Sequence, residues 1–229
     1  MTTWTTAPMC AFDLETTGPN PLDARIVTAC IATIEGPTFT AQNWLLDPEV
    51  EIPAGATAVH GITTEHAHEH GMYYDDGLNE IAVALEGAWA AGHTVVAFNA
   101  SYDLTVMHHE YRRVFGETFT TTGLVVDPFV IDRAIDPYRK GKRTLGVTCD
   151  YYGVKLGNAH EAEADAIAAA RLAWKLGRQP LLAGKSADDL MAWQAHEHAE
   201  RQLSFANYLR RSGKPAGDVD GSWPIRGAA

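Results

Sequence analysis

The sequence contains few cysteines and no long apolar segment. Its three cysteines, Cys10, Cys30 and Cys149, are widely spaced and lie outside any CxxC motif, which predicts buried reduced thiols in a cytoplasmic protein. No apolar run approaches the roughly 20 residues that cross a bilayer, so we expect no membrane partner. The N-terminus also lacks the basic start and apolar stretch of a secretory signal.

Basic residues are also scarce. The 229 residues include 18 Lys and Arg against 29 Asp and Glu, which gives a formal net charge of −11. Such a chain repels a phosphate backbone at long range, so its composition argues against a protein that coats nucleic acid. Divalent cations bound by some of the acidic residues would reverse the sign of the charge locally.

The first half of the sequence predicts a three-stranded antiparallel meander. Residues 7–14, 25–34 and 38–46 are rich in apolar and β-branched residues, and tight connections separate them. A helical spacing of apolar residues follows, from Leu78 to Trp89, and Gly92 ends it.

The second half alternates predicted strands and helices. We expect strands over 94–99 and 124–131. We expect helices over 101–115 (capped by Ser101), 144–152 and 161–176. This order indicates an α/β protein whose mixed sheet is flanked by helices.

A further helix is predicted to begin near Ser186, where Ser186 and Asp189 have the spacing of a capping box, and to run to about Arg211. Residues 212–229 predict an irregular tail. The aromatic residues of the 186–229 segment favour docking on the core or on a partner.

Two carboxylates stand at the end of the first predicted strand, in Phe12-Asp13-Leu14-Glu15. Side chains alternate along a strand, so Asp13 and Glu15 share one face, where they repel each other unless a cation neutralises them. Oxygen ligands of this kind suit Mg²⁺ or Mn²⁺. A solvated strand end with two acidic residues is an equally good interpretation of this pair alone.

Two more acidic segments occur at predicted element ends. Asp103 lies in a first helical turn, where the helix dipole alone favours an acidic residue. Asp165 opens an alanine-rich helix whose small residues permit close packing on a sheet, and His160 lies one turn earlier. The three segments are in an order that allows them to converge on one sheet edge.

Together, FDLETTG at 12–18, NASYD at 99–103 and HEAEAD at 160–165 resemble the three motifs of the DEDDh 3′→5′ exonucleases, over about residues 7–177. This group includes the proofreading epsilon subunit of bacterial replicative polymerase. The resemblance implies a ribonuclease H-like fold, a five-stranded mixed sheet flanked by helices. It assigns residues 1–180 to the exonuclease domain and leaves 186–229 as a C-terminal helical extension.

The resemblance also implies roles for individual residues. Asp13, Glu15, Asp103 and Asp165 would hold two Mg²⁺ or Mn²⁺ ions, with Asp13 bridging them, and His160 would be the general base. The residues expected to contact the terminal nucleotide are Leu14, Thr16, Thr17, His60 and Asn99. For Thr16, Thr17 and Asn99, turn or cap formation is an equally good explanation.

Several interpretations remain open. The expected function is that of a 3′→5′ exonuclease acting on single-stranded DNA ends in replication or repair. The alternatives are an exonuclease acting on RNA 3′ ends and a nuclease-like, non-catalytic binding module. A polymerase or sliding clamp is a possible partner, because Gln202-Leu203-Ser204-Phe205 faintly resembles clamp-binding peptides. The basic run at 139–143 suggests phosphate contacts or an ordinary exposed loop, and His66, His68 and His70 suggest a solvated loop.

Overall fold

The computed structural model of the protein describes residues 4–157 and 161–227. In these residues five strands form one mixed sheet in the order β3-β2-β1-β4-β5. The strands are β1 (Met9–Thr16), β2 (Ile26–Glu35), β3 (Thr38–Leu45), β4 (Thr94–Val96) and β5 (Val125–Val126). The first three strands pair antiparallel, and β4 and β5 continue the sheet parallel to β1. The predicted meander and the five-stranded mixed sheet are confirmed.

Helices cover both faces of this sheet. They are α1 (Ala54–His60), α2 (Thr64–His70), α3 (Tyr74–Ala90), α4 (Ala100–Phe115), α5 (Pro128–Ile135), α6 (Leu145–Tyr152), α7 (Ala162–Leu176) and α8 (Ala187–Arg211). Within the described ranges, none of these helices combines the length and the apolar character that crossing a membrane requires.

The alternation of side chains along β1 separates the two halves of the core. Cys10, Phe12 and Leu14 belong to the half that α3 and α4 cover, whereas Met9 and Ala11 belong to the half that α7 covers. Asp13 and Glu15 continue the series of Met9 and Ala11, so their side chains lie on the α7 face of the sheet. All three cysteines are free and buried, as predicted.

The predicted strand over 124–131 is wrong after Val126. Asp127 accepts hydrogen bonds from the backbone N–H groups of Phe129 and Val130, and Pro128 occupies the first turn of α5. An Asp N-cap followed by Pro starts a helix, because proline sacrifices no hydrogen bond at that position. The apolar residues after Pro128 therefore belong to a helix.

The predicted cap at Ser101 is also wrong. The N-cap of α4 is Asn99, whose φ of 67° and ψ of 44° lie in the left-handed region, and Ser101 is buried inside the helix. Few residues other than glycine adopt this conformation, and asparagine is among the most tolerant of it.

His66, His68 and His70 lie on α2 rather than on a loop. The rings of His66 and His70 are 4.8 Å apart, one helical turn from each other, and His68 contacts Asp47 at 2.8 Å. The sequence between 50 and 73 predicts neither α1 nor α2, because each helix has only seven residues and buries at most one of them.

The C-terminal segment packs on the core. Ser186 and Asp189 form the reciprocal capping box that their spacing predicts, and α8 ends at Arg211. Beyond α8, the described tail has no regular structure, but Ile225 is buried in the α3–α4 half of the core. The backbone N–H of Arg226 donates to Thr105 Oγ1 on α4 at 2.9 Å.

Candidate active site

Asp13 and Glu15 lie side by side at the carboxyl end of β1, where the sheet positions both on the α7 face. Asp13 pairs with Cys30 and Glu15 with Thr28 on β2, so the backbone of the pair is fixed by the antiparallel ladder. Burial, and then repulsion by neighbouring carboxylates, raises the pKa of Asp13 well above its usual range. Burial and Asp165 raise the pKa of Glu15 to about 7.

Asp165 reaches this pair because α7 packs closely on the sheet. Small side chains line the buried face of the helix, including Ala166, Ala169 and Ala173. As a result, one oxygen each of Asp13, Glu15 and Asp165 lie within 4.8 Å of one another. The structure therefore brings together three of the four predicted metal ligands.

Asp103 approaches the same centre from α4. Its carboxylate is buried and accepts a hydrogen bond from the backbone N–H of Leu14 at 3.2 Å, which ties α4 to the strand between Asp13 and Glu15. Asp103 is close enough to raise the pKa of Asp13, and burial raises the pKa of Asp103 itself. It is not part of the compact three-carboxylate cluster, but it lies close to Asp13.

The composition of this cluster fits hard divalent cations. All four side chains offer carboxylate oxygens, the ligands that Mg²⁺ and Mn²⁺ prefer. Without a cation, partly buried carboxylates at this distance repel one another, which the raised pKa values of Asp13 and Glu15 express. A divalent ion would replace that repulsion with attraction.

Asp127 is a buried carboxylate behind the candidate site that the sequence interpretation missed. Its buried carboxylate accepts from the backbone N–H groups of Asn99 at 2.9 Å and of Ala100 at 3.0 Å, and it also caps α5. Asp127 thereby holds the strained start of the helix that carries Asp103. Burial raises its pKa to about 6. The Asp-Pro dipeptide was the available signal.

Four of the residues predicted to contact the terminal nucleotide lie in the sequence motifs, and each has a structural role of its own. Leu14 is buried and donates its N–H to Asp103. The Thr16 hydroxyl hydrogen-bonds with the Tyr102 hydroxyl, and Thr17 Oγ1 accepts from Arg25 N at 3.0 Å. Asn99 caps α4. Their contact with a nucleotide stays a prediction.

His60 lies at the end of α1 and lines an open pocket of about 740 Å³ next to the carboxylates. Glu15, Ile62 and Glu163 line the same pocket, and Asn43 on β3 donates to Glu163 at 2.8 Å. The volume falls in the range of small-molecule sites, about 300–1,000 Å³. His160, the predicted general base, lies outside the described residues.

The basic run is not the exposed phosphate-binding loop that its composition suggests. Arg139 and Arg143 both bind the buried Asp132 carboxylate, at 2.7 and 2.8 Å. Arg143 is only 8% exposed. Of the four basic residues, Lys140 and Lys142 alone are exposed.

Known proteins of similar sequence are bacterial DNA polymerases. The chain is 30% identical over 173 residues to the PolC-type DNA polymerase III of Listeria welshimeri, covering 74% of this chain and 11% of the polymerase. It is 26% identical over 203 residues to that of Staphylococcus saprophyticus, covering 88% of this chain and 13% of the polymerase. The chain thus spans little more than a tenth of these relatives.

Similar solved structures include exonuclease I of E. coli in complex with a dT13 oligonucleotide. That chain superposes with a TM-score of 0.61 at 19% identity, covering 81% of this chain and 46% of exonuclease I. The predicted ribonuclease H-like fold is therefore confirmed. The RNase_T exonuclease model matches residues 10–173, which include the cluster of Asp13, Glu15 and Asp165. The chain therefore belongs to the RNase_T exonuclease family.

Proposed function

We propose that the protein removes nucleoside 5′-monophosphates one at a time from the 3′ end of single-stranded DNA, in replication proofreading or repair. The observation that carries this proposal is the convergence of Asp13, Glu15 and Asp165, with Asp103 beside them, next to an open pocket. The PolC-type polymerases and the DNA-bound exonuclease I support DNA as the polymer.

Asp13, Glu15 and Asp165 would hold one Mg²⁺ or Mn²⁺ ion, and Asp13 and Asp103 a second. Bound there, the two ions supply Lewis acidity at the scissile phosphate and lower the pKa of water. Asp13 is placed to bind both ions because it lies next to the other three carboxylates.

The remaining proposed roles belong to groups around the carboxylates. His160 is proposed to accept the proton of the attacking water, since an imidazole with a pKa near 6.5 exchanges protons at neutral pH. His60 and Ile62 line the pocket beside Glu15, which is where the terminal nucleotide would sit. Asp127 acts on Asp103 only indirectly, through the backbone of Asn99 and Ala100.

The test is digestion of a single-stranded DNA oligomer labelled at its 5′ end, with Mg²⁺ or Mn²⁺, beside an RNA oligomer of the same sequence. We expect a ladder that shortens from the 3′ end and disappears with EDTA or in Asp13→Ala. The matched control is Asp150→Ala, which removes an exposed carboxylate from α6. Faster digestion of RNA would make the protein an exoribonuclease, and no ladder with either polymer would favour a binding module.

A polymerase or sliding clamp is the proposed partner of the C-terminal segment. Leu203, Phe205 and Tyr208 on α8 are about half exposed, whereas Leu190 and Gln194 on the same helix are fully buried. The outer end of α8 therefore offers apolar surface that the core does not cover. Loss of polymerase or clamp binding in Phe205→Ala, with unchanged nuclease activity, would support this role.

A further inference from the structure

A second pocket lies between α5 and α8, outside the carboxylate cluster. Its volume is about 190 Å³, below the roughly 300 Å³ at which drug-sized ligand sites begin. Three arginines contribute to its lining, Arg133 and Arg143 from the α5 side and Arg201 from α8. The pocket thus brings three arginines together in a chain with a net charge of −11.

Arg133 has unused hydrogen-bonding capacity at this pocket. Its Nε atom is buried and has no hydrogen-bond partner among the described residues. Its guanidinium group lies over the Phe129 ring, 4.6 Å from the centroid, and forms no ion pair in the described part of the chain. A buried donor without an acceptor is destabilising, so an incoming acceptor would relieve that cost.

The positive charges in the pocket are incompletely balanced. Arg143 is committed to Asp132, but Arg201 forms no ion pair within the described ranges. Burial, followed by repulsion from Arg201 and Arg143, lowers the pKa of Arg133 to about 10. Glu197 and Glu200 also line the pocket, yet neither is within ion-pair distance of a described arginine. Attraction by Asp132 therefore offsets only part of the repulsion among the arginines.

We propose that this pocket binds a phosphoryl group, held by the guanidinium groups of Arg133 and Arg201. A phosphate offers several acceptor oxygens, and arginine donates to it through two parallel N–H groups. The small volume suits a single phosphoryl group better than a whole nucleotide. The Phe129 ring beneath Arg133 fixes the plane of the guanidinium.

Two sources of this group are compatible with the site. Phe129 packs edge-on against Phe98 at 5.5 Å, and Phe98 immediately precedes Asn99 at the start of α4. The pocket therefore lies on the side of the molecule where β4 leads into the helix of Asp103. One source is a backbone phosphate of a bound DNA strand, and this possibility rests on the proposed function. The other source is free inorganic phosphate.

The first experiment titrates the protein with inorganic phosphate by calorimetry, in EDTA so that no metal contributes. We expect saturable binding that weakens about tenfold to a hundredfold in Arg133→Gln and in Arg201→Gln, the change that losing a hydrogen bond to a charged group produces. Arg211→Gln, an exposed arginine at the end of α8, is the matched control. Arg201 is itself exposed, so its substitution leaves the fold intact.

No binding by the wild type, or equal binding by all variants, would overturn the proposal.

To identify the source of the phosphoryl group, the binding of a labelled single-stranded DNA oligomer is measured in EDTA over a series of salt concentrations. A strand phosphate in the pocket predicts that Arg133→Gln lowers the slope of log affinity against log salt by about 0.7. An unchanged slope with lost phosphate binding assigns the pocket to the free anion. Failure of the wild type to cleave the oligomer when Mg²⁺ or Mn²⁺ is supplied would refute the proposed function alone, because the phosphate titration is independent of it.

Discussion

At the scale of single residues, Asp132 is the most completely buried charge in the described chain that the proposed chemistry does not use. Its carboxylate has no exposed surface and lies between Arg139 and Arg143. Arg143 also donates to the carbonyl oxygens of Asp136 at 2.6 Å and Arg139 at 2.9 Å. Asp132 therefore anchors, through Arg143, the loop that leads from α5 to α6.

Replacing Asp132 with alanine should destabilise the protein by about 3–5 kcal/mol, because it leaves the buried Arg143 guanidinium without a counter-charge. Urea denaturation gives the free energy of unfolding for the comparison. Asp150→Ala, an exposed acidic residue on α6, should stay within about 0.5 kcal/mol of the wild type. Equal stability of the two variants would show that Arg143 finds another partner.

Asp13 is a residue at which activity and stability should change in opposite directions. Asparagine at this position keeps the shape of the side chain and removes the charge that Asp103, Glu15 and Asp165 repel. We expect Asp13→Asn to lose activity by about a hundredfold or more. In EDTA it should unfold at a higher temperature than the wild type. A lower melting temperature in EDTA would mean that repulsion within the cluster is not a net cost to the metal-free fold.

At the scale of secondary-structure elements, the sequence predicts the parts whose residues alternate or repeat over many positions. The meander and the helices α3, α4, α7 and α8 have that pattern. It also predicts that Asp13 and Glu15 share a face, since this follows from strand geometry alone. Strand geometry alone does not predict that Asp165 lies close to this pair. That prediction also needs the small side chains on one face of α7, which allow the helix to pack closely on the sheet.

Other elements are determined by contacts distant in sequence, and these were missed. α1 and α2 have no apolar period of their own, and Ala67 on α2 is buried because it packs with Val27 and Ile52. The role of Asp127 depends on Asn99 and Ala100, which lie 28 and 27 residues earlier. Such partners are visible only in the folded chain.

Gln194 on α8 connects the C-terminal segment to the active-site side of the sheet. It is fully buried, accepts from the backbone N–H of Asp127 at 2.8 Å, and donates to the Val125 carbonyl at 2.9 Å. Through these two bonds, α8 continues the hydrogen bonding of the edge strand β5 and fixes Asp127.

Gln194→Leu should cost about 2–4 kcal/mol of stability, because it leaves two buried backbone groups unsatisfied at about 1–3 kcal/mol each. The measurement is again the free energy of unfolding in urea. The matched control is Gln202→Leu on the same helix, because the Gln202 side chain makes only a long contact of 3.5 Å with His198. If the two variants were equally stable, α8 would not be an integral part of the fold.

At the scale of the whole molecule, the concentration of like charge couples stability to metal and to pH. The chain has a net charge of −11, and four of its acidic groups converge around one edge of the sheet. Folding without a cation therefore requires these groups to stay protonated or to repel one another. The protein should be most sensitive to pH when divalent cations are absent.

The direction of that dependence follows from the raised pKa values. Because the folded-state pKa of Asp13, Glu15 and Asp103 lies above the unfolded value near 4, the folded state binds more protons, and stability falls as pH rises through this interval. For Glu15 this pH interval ends near its folded-state pKa of about 7. In EDTA we therefore expect a lower melting temperature at about pH 8 than at about pH 5.

Adding excess Mg²⁺ should then raise the melting temperature more at about pH 8 than at about pH 5, because the ligands must be deprotonated to bind the ion. Thermal unfolding with Mg²⁺ and with EDTA at both pH values measures the difference. The control is Glu15→Gln, which removes one ligand and one repelling charge and should reduce both the pH dependence and the Mg²⁺ effect. An equal Mg²⁺ shift at the two pH values, or in the wild type and Glu15→Gln, would mean that the ion stabilises the protein somewhere other than this cluster.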